Sequence, residues 1–136
     1  MNYSDYIDQI NTGDYAAVVR KFYTDDIVFE SGAMKQVYRG QDKIIEVLTG
    51  IQSGIREVFR PQVVLQDKNY IFAEADVDFY ALRDLPEFPF GALRTDERLT
   101  LKVFAIYYLR EERIFRIKTA VWPANFRVTD PPTRCF

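Results

Sequence analysis

Histidine is absent from this 136-residue sequence, and its single cysteine, Cys135, stands next to the C-terminus. The commonest general base, the Ser-His-Asp type of triad and nearly every zinc or non-haem iron site are thereby removed, and no metal or cofactor is expected. Catalysis must run on Asp, Glu, Tyr, Lys, Arg or Ser. The sharpest cluster of such groups is Glu74-Ala75-Asp76-Val77-Asp78. In an extended chain alternation puts the three acids on one face and Ala73, Ala75, Val77, Phe79 and Ala81 on the other. Turned inward, two carboxylates ~7 Å apart along a strand would raise each other's pKa and give an acid and base pair, Asp76 and Asp78. Turned outward, the same acids would meet Arg116 and Lys118 in a charge ladder. The small apolar set suits helix packing better, which favours the outward orientation.

The elements that must position these groups follow from periodicity. Tyr3, Tyr6, Ile7 and Ile10 fall at i, i+3, i+4 and i+7, predicting a first helix of about three turns that ends at Gly13. Asp14 caps a second helix carrying Tyr15, Val18, Val19 and Phe22, closed by a polar turn at Thr24-Asp25-Asp26. Ile27 to Ser31 reads as a strand, turning at Gly32-Ala33-Met34 into a short second strand through Tyr38. A third helix starts at about Gln41 with Ile44, Ile45, Leu48, Ile51 and Ile55 on one side. Gln62 to Gln66 and Tyr70 to about Arg83 form a hairpin through Asp67-Lys68-Asn69. The two prolines of Asp84 to Gly91 make that stretch a loop, whose Phe88 and Phe90 read either as an aromatic lid over a pocket mouth, the favoured reading, or as an anchor for a crossing between strands.

Arg98 to Trp122 is a long hairpin of β-branched and aromatic residues with a charged tip, Arg110 to Arg113. With Arg110 opposite Arg113, Tyr108 is expected to face Phe115, Ile106 to face Ile117 and Phe104 to face Thr119, a nearly dry face. The other face, with Val103, Ala105, Tyr107, Arg116 and Lys118, is too polar for a sealed core. It is expected to be the interface of a homodimer, of standard size at ~800 Å² per partner.

Length and composition favour one domain, residues 1–125, followed by a poorly ordered tail, residues 126–136. Lys plus Arg number 18 against 20 for Asp plus Glu, without clustering, so nucleic acid is not an expected partner. No apolar run approaches ~18 residues, so no membrane span is expected, and a lone cysteine fits a reducing, cytoplasmic setting.

Three helices against a strongly curved, mostly antiparallel sheet is an α+β layout. Within it, Tyr6 to Asp14, Phe22 to Glu30, Tyr38-Arg39-Gly40 to Ile44, and the charged tip leading into Ile114 to Ile117 resemble the nuclear transport factor 2-like superfamily, in its SnoaL-like branch. The resemblance spans about residues 3 to 123. It implies a conical fold with an internal apolar pocket, dimerisation through the outer sheet face, and relatives that are isomerases, polyketide cyclases, epoxide hydrolases, dehydratases or simple binders. Tyr6 matches the tyrosine that donates to the ligand in the ketosteroid isomerase pattern. The carboxylate base of that pattern is missing, since Ser31 follows Glu30, and its second donor falls at Val103 or Phe104. The histidine-dependent cyclase and dehydratase mechanisms are excluded, and no register supplies the Asp-Arg-Asp set of the epoxide hydrolases.

Two functions from different classes remain. One is a cofactor-independent isomerase, cyclase or hydrolase that transfers protons on a small apolar, oxygen-bearing molecule. It would use Tyr6 as donor and Asp76 or Asp78 as acid or base, with Phe22, Ser31, Phe90, Tyr108 and Trp122 lining the pocket. The other is a non-catalytic dimeric binding module for a hydrophobic ligand or protein partner.

Overall fold

The computed structural model describes residues 1–122, so the expected tail and Cys135 lie outside the described residues. The order is α1 (Tyr3–Ile10), α2 (Tyr15–Phe22), β1 (Tyr23–Ser31), β2 (Gln36–Arg39), α3 (Gln41–Gln52), β3 (Ile55–Gln66), β4 (Tyr70–Ala81), β5 (Arg98–Arg110) and β6 (Arg113–Val121). The six strands form one sheet in the order β2-β1-β6-β5-β4-β3, with β1 and β6 parallel and all other neighbours antiparallel. This is the expected α+β architecture, three helices on a curved, open sheet. Among the described residues no helix is long and apolar enough to cross a membrane.

The helix signals translate directly. Asn2 Oδ1 accepts from Asp5 N at 3.2 Å and Asp14 Oδ1 from Ala17 N at 3.1 Å, each satisfying an orphan amide of the first turn. The apolar stripes Tyr3, Tyr6, Ile7, Ile10 and Tyr15, Val18, Val19, Phe22 are the buried faces of α1 and α2. With eight residues, α1 makes about two turns rather than three. Arg20 in the last turn of α2 reaches the start of α3, donating to Gln41 Oε1 and Asp42 Oδ1 at 2.7 Å each.

Three expectations fail, each for a local reason. Thr24-Asp25-Asp26 is not a turn, because β1 begins at Tyr23 directly after α2. Ile55 is not on the third helix: α3 ends at Gln52, Gly54 takes φ 78°, and Ile55 opens a twelve-residue β3 with its side chain 2% exposed. The hairpin also slips. Arg110 does face Arg113, but a bulge absorbs Phe115, so Tyr108 faces Arg116, Ile106 faces Lys118 and Phe104 faces Ala120.

That bulge reverses the assignment of the two sheet faces on β5. Ala105 and Tyr107 are buried beneath the helices with Leu109, Ile114 and Ile117, so they are core and not an outer interface. Phe104, Ile106 and Tyr108 take the opposite, helix-free face. The core has two parts. The first packs α1, α2 and α3 on Ile71, Ala73, Ala105, Tyr107, Ile114 and Ile117. The second joins Ile55, Val77, Phe79, Ala81, Leu99 and Leu101 to Leu85 and Leu93 of the loop between β4 and β5.

Candidate active site

The outer face of the sheet takes the acids. Asp76 and Glu74 flank Lys102, at 3.0 and 3.6 Å. Asp78, 2% exposed, accepts from Arg60 Nε at 2.7 Å, Arg60 Nη2 at 3.0 Å and Thr100 Oγ1 at 2.6 Å. Burial pushes its pKa up, but the Arg60 and Thr100 hydrogen bonds outweigh burial and hold the carboxyl below its usual range. Glu30 is likewise lowered by Arg116 Nε at 2.7 Å. The outward orientation is thus the one the chain adopts, with Arg60 and Lys102 as partners of Asp78 and Asp76 in place of Arg116 and Lys118. The reason is register: β3 lies beside β4, placing Arg60 opposite Asp76 and one step from Asp78.

Tyrosines occupy the inner, helix-covered face. Tyr6 is 2% exposed, and its hydroxyl lies 2.8 Å from that of Tyr23; Tyr3 and Tyr107 pair at 3.3 Å. The Tyr6 and Tyr107 rings meet edge to face at 5.6 Å, which joins the pairs into one cluster. Burial raises all four phenols, Tyr23 to about 12 and the others further, so each stays protonated.

Among the described residues, the Glu57 carboxyl shares this face. Glu57 alternates with Ile55 and Phe59 on β3, opposite Phe79, so it points under the helices. Its Oε1 accepts from the Tyr15 hydroxyl at 2.7 Å, while the side chain keeps part of its surface exposed. Burial pushes its pKa up to about 7, against a smaller lowering by the Tyr15 hydrogen bond. The placement of Ile55 on the third helix hides this residue in the sequence; the Ile55-x-Glu57-x-Phe59 alternation is the signal that finds it.

The other expected site residues divide between the faces. Phe22 packs edge-on against Tyr6 at 5.3 Å. Ser31 is buried and accepts from Met34 N at 3.1 Å, making it a turn residue of the β1–β2 connection. Phe90 packs on Phe79 and Phe88, each at 5.4 Å, within the second core. Tyr108 and Trp122 lie on the outer face, Tyr108 against Tyr70 at 5.4 Å and Trp122 against Phe104 at 5.5 Å. Tyr6, Phe22 and Ser31 are therefore separated by the sheet from Asp76, Asp78, Tyr108 and Trp122. Among the described residues no three His, Cys, Asp or Glu side chains converge as metal ligands. Two grooves flank the helices, one of about 870 Å³ between α1 and β3, lined by Tyr3, Ile7, Pro61 and Val64, and one of about 630 Å³ between α3 and the 83–89 segment, lined by Tyr38, Val47, Leu85 and Phe88.

The same architecture recurs in solved structures at low identity. IdmH from Streptomyces antibioticus, a candidate polyketide cyclase, superposes with a TM-score of 0.72 at 14% identity, covering 89% of this chain and 92% of its own. A candidate polyketide cyclase from Pseudomonas putida gives 0.71 at 20% identity, with 88% and 87% covered. An epoxide hydrolase of the LEH-like type from M. tuberculosis gives 0.66 at 14% identity, with 86% and 77% covered. These identities establish the fold alone. No curated protein sequence matches the chain. The SnoaL-like domain family matches residues 3–117, nearly the whole described structure, and the chain belongs to that family.

Proposed function

We propose that the protein is a cofactor-independent enzyme in which Glu57 transfers protons on a small apolar, oxygen-bearing molecule, with Tyr15 as its hydrogen-bonding partner. The supporting observation is the Glu57 carboxyl under the helices, raised to about 7 by burial and bonded to Tyr15. A general base works best with a pKa near the operating pH, and a partly desolvated carboxyl achieves this without histidine. Tyr15 donates to one carboxylate oxygen, Oε1, and the proposed proton transfer uses the other. As carboxylate, Glu57 removes a proton beside a carbonyl; as carboxylic acid, it returns that proton at another carbon or at oxygen, which serves isomerisation and enolate-driven ring closure alike.

The acids of the outer face are paired with Arg60, Lys102 and Arg116, which leaves Glu57 as the acid suited to this work. The test is a panel of ketones, enones and epoxides assayed with wild type and Glu57→Gln. Turnover with an acid limb near pH 7, abolished by the substitution, is expected; turnover that survives Glu57→Gln would overturn the assignment.

The reading includes a homodimer packed through the outer face. Tyr70 (50% exposed), Ile106 (37%) and Trp122 (45%) lie there with Phe72, Phe104 and Tyr108, between ion pairs that are already neutralised. A contiguous aromatic face of this kind marks a protein interface.

A further inference from the structure

We propose that Asn11 is the positioning residue of this site: its side-chain amide clamps the α1–α2 turn to β3 and so holds the Tyr15 hydroxyl on Glu57. Asn11 Nδ2 donates to Phe59 O at 2.9 Å, and Asn11 Oδ1 accepts from Phe59 N at 2.8 Å. β3 is the edge strand of the sheet, so the amide takes the place of a neighbouring strand residue for those two backbone groups. Phe59 and Glu57 are two residues apart on one strand face, and Asn11 and Tyr15 are four apart in the turn above it. The two hydrogen-bonded contacts therefore bracket the site at both ends.

The turn between them is closed by its own hydrogen bonds. Asn11 N donates to Ile7 O, Thr12 N to Gln9 O, Gly13 N to Ile10 O and Tyr15 N to Gly13 O. Thr12 Oγ1 donates to Gln9 O at 2.6 Å, and Asp14 caps α2. Gly13 at φ 85° turns the chain between the helices. A tyrosine hydroxyl 2.7 Å from a carboxylate is sensitive to displacements of a few tenths of an ångström, so a bracket fixed at Phe59 sets its quality.

The inference rests on the proposed role of Glu57, but its decisive readout does not. Carboxyl-labelled protein gives the Glu57 titration directly by NMR, assigned by its loss in Glu57→Gln. In Asn11→Ala the Glu57 pKa is expected to rise, in the same direction as in Tyr15→Phe. The double variant is expected to move no further than Tyr15→Phe alone, since both changes act through the same Tyr15–Glu57 hydrogen bond. A charged hydrogen bond with a net effect of about one pH unit also predicts a roughly tenfold loss of turnover below pH 7. Asn11→Ser serves if the alanine variant does not fold. An unmoved titration in a folded variant, or loss of the fold in both, would assign Asn11 to stability alone and overturn the proposal. Turnover that survives Glu57→Gln would instead overturn the enzymatic role and leave the positioning result standing.

Discussion

Arg60 grips Asp78 through two hydrogen bonds, 2.7 and 3.0 Å, on the sheet face that the helices leave uncovered. Asp78 is nonetheless 2% exposed, covered by the Arg60 side chain and by Thr100. A carboxylate so placed is structural: it is neutralised, fully bonded and across the sheet from Glu57. Asp78→Asn is therefore expected to lower stability by roughly 1–3 kcal/mol in chemical denaturation and to leave turnover per folded molecule unchanged. Because its folded pKa is depressed, the stability Asp78 contributes is present above the ordinary value of 3.8 and is lost as pH falls through the folded value. The gap between wild type and Asp78→Asn should close on acidification; a gap that persists there would contradict the pairing.

Glu57 predicts the opposite pH dependence. Its folded pKa, about 7, is raised above the ordinary 4.5, so the native state binds a proton that the unfolded chain has released in that interval. The stability linked to this group is complete below pH 4.5 and is lost as pH rises through 7. Glu57→Gln, neutral at every pH, should gain on the wild type across that window while losing turnover. Unfolding midpoints at pH 5 and pH 8 measure the effect, and a constant difference between the two proteins would show that Glu57 is not perturbed.

Much of this fold was legible in the sequence where a local pattern agrees with the tertiary one. Tyr3, Tyr6, Ile7 and Ile10 announce α1, and Asp14 announces the cap of α2, because helix period and capping chemistry act within a few residues. Sheet register was not legible. The bulge at Phe115 reverses which face of β5 is core, and a one-residue slip leaves both faces similar in composition: Val103, Ala105, Tyr107 against Phe104, Ile106, Tyr108. The site was hidden by the same kind of boundary error. Ile55 continues the apolar stripe of α3 in sequence, but Ser53 and Gly54, the latter at positive φ, end the helix, and Ile55 opens the strand that carries Glu57.

Gly32 tests the junction of β1 with β6. A Cβ at this position would lie 2.4 Å from the Thr119 carbonyl oxygen, which also accepts from Gly32 N at 2.9 Å. Backbone on both sides leaves nothing flexible to yield, so Gly32→Ala is expected to destabilise by about 1–3 kcal/mol, read from the thermal or denaturant midpoint. A neutral substitution would mean that the turn sits away from β6.

Ile106→Glu separates dimerisation from folding. Ile106 is 37% exposed on the outer face and lies opposite Lys118 across the β5–β6 ladder. A glutamate there gains an opposite-charge cross-strand partner, worth roughly 0.2–1 kcal/mol, so the isolated subunit should keep its stability. In a dimer the same carboxylate would be carried into the aromatic centre of the interface, where a desolvated charge is strongly unfavourable. Wild type is therefore expected to sediment at twice 16.0 kDa and the variant at 16.0 kDa, with equal unfolding midpoints at low protein concentration. A wild type that remains at 16.0 kDa at micromolar concentration would remove the dimer and leave the aromatic face to another partner.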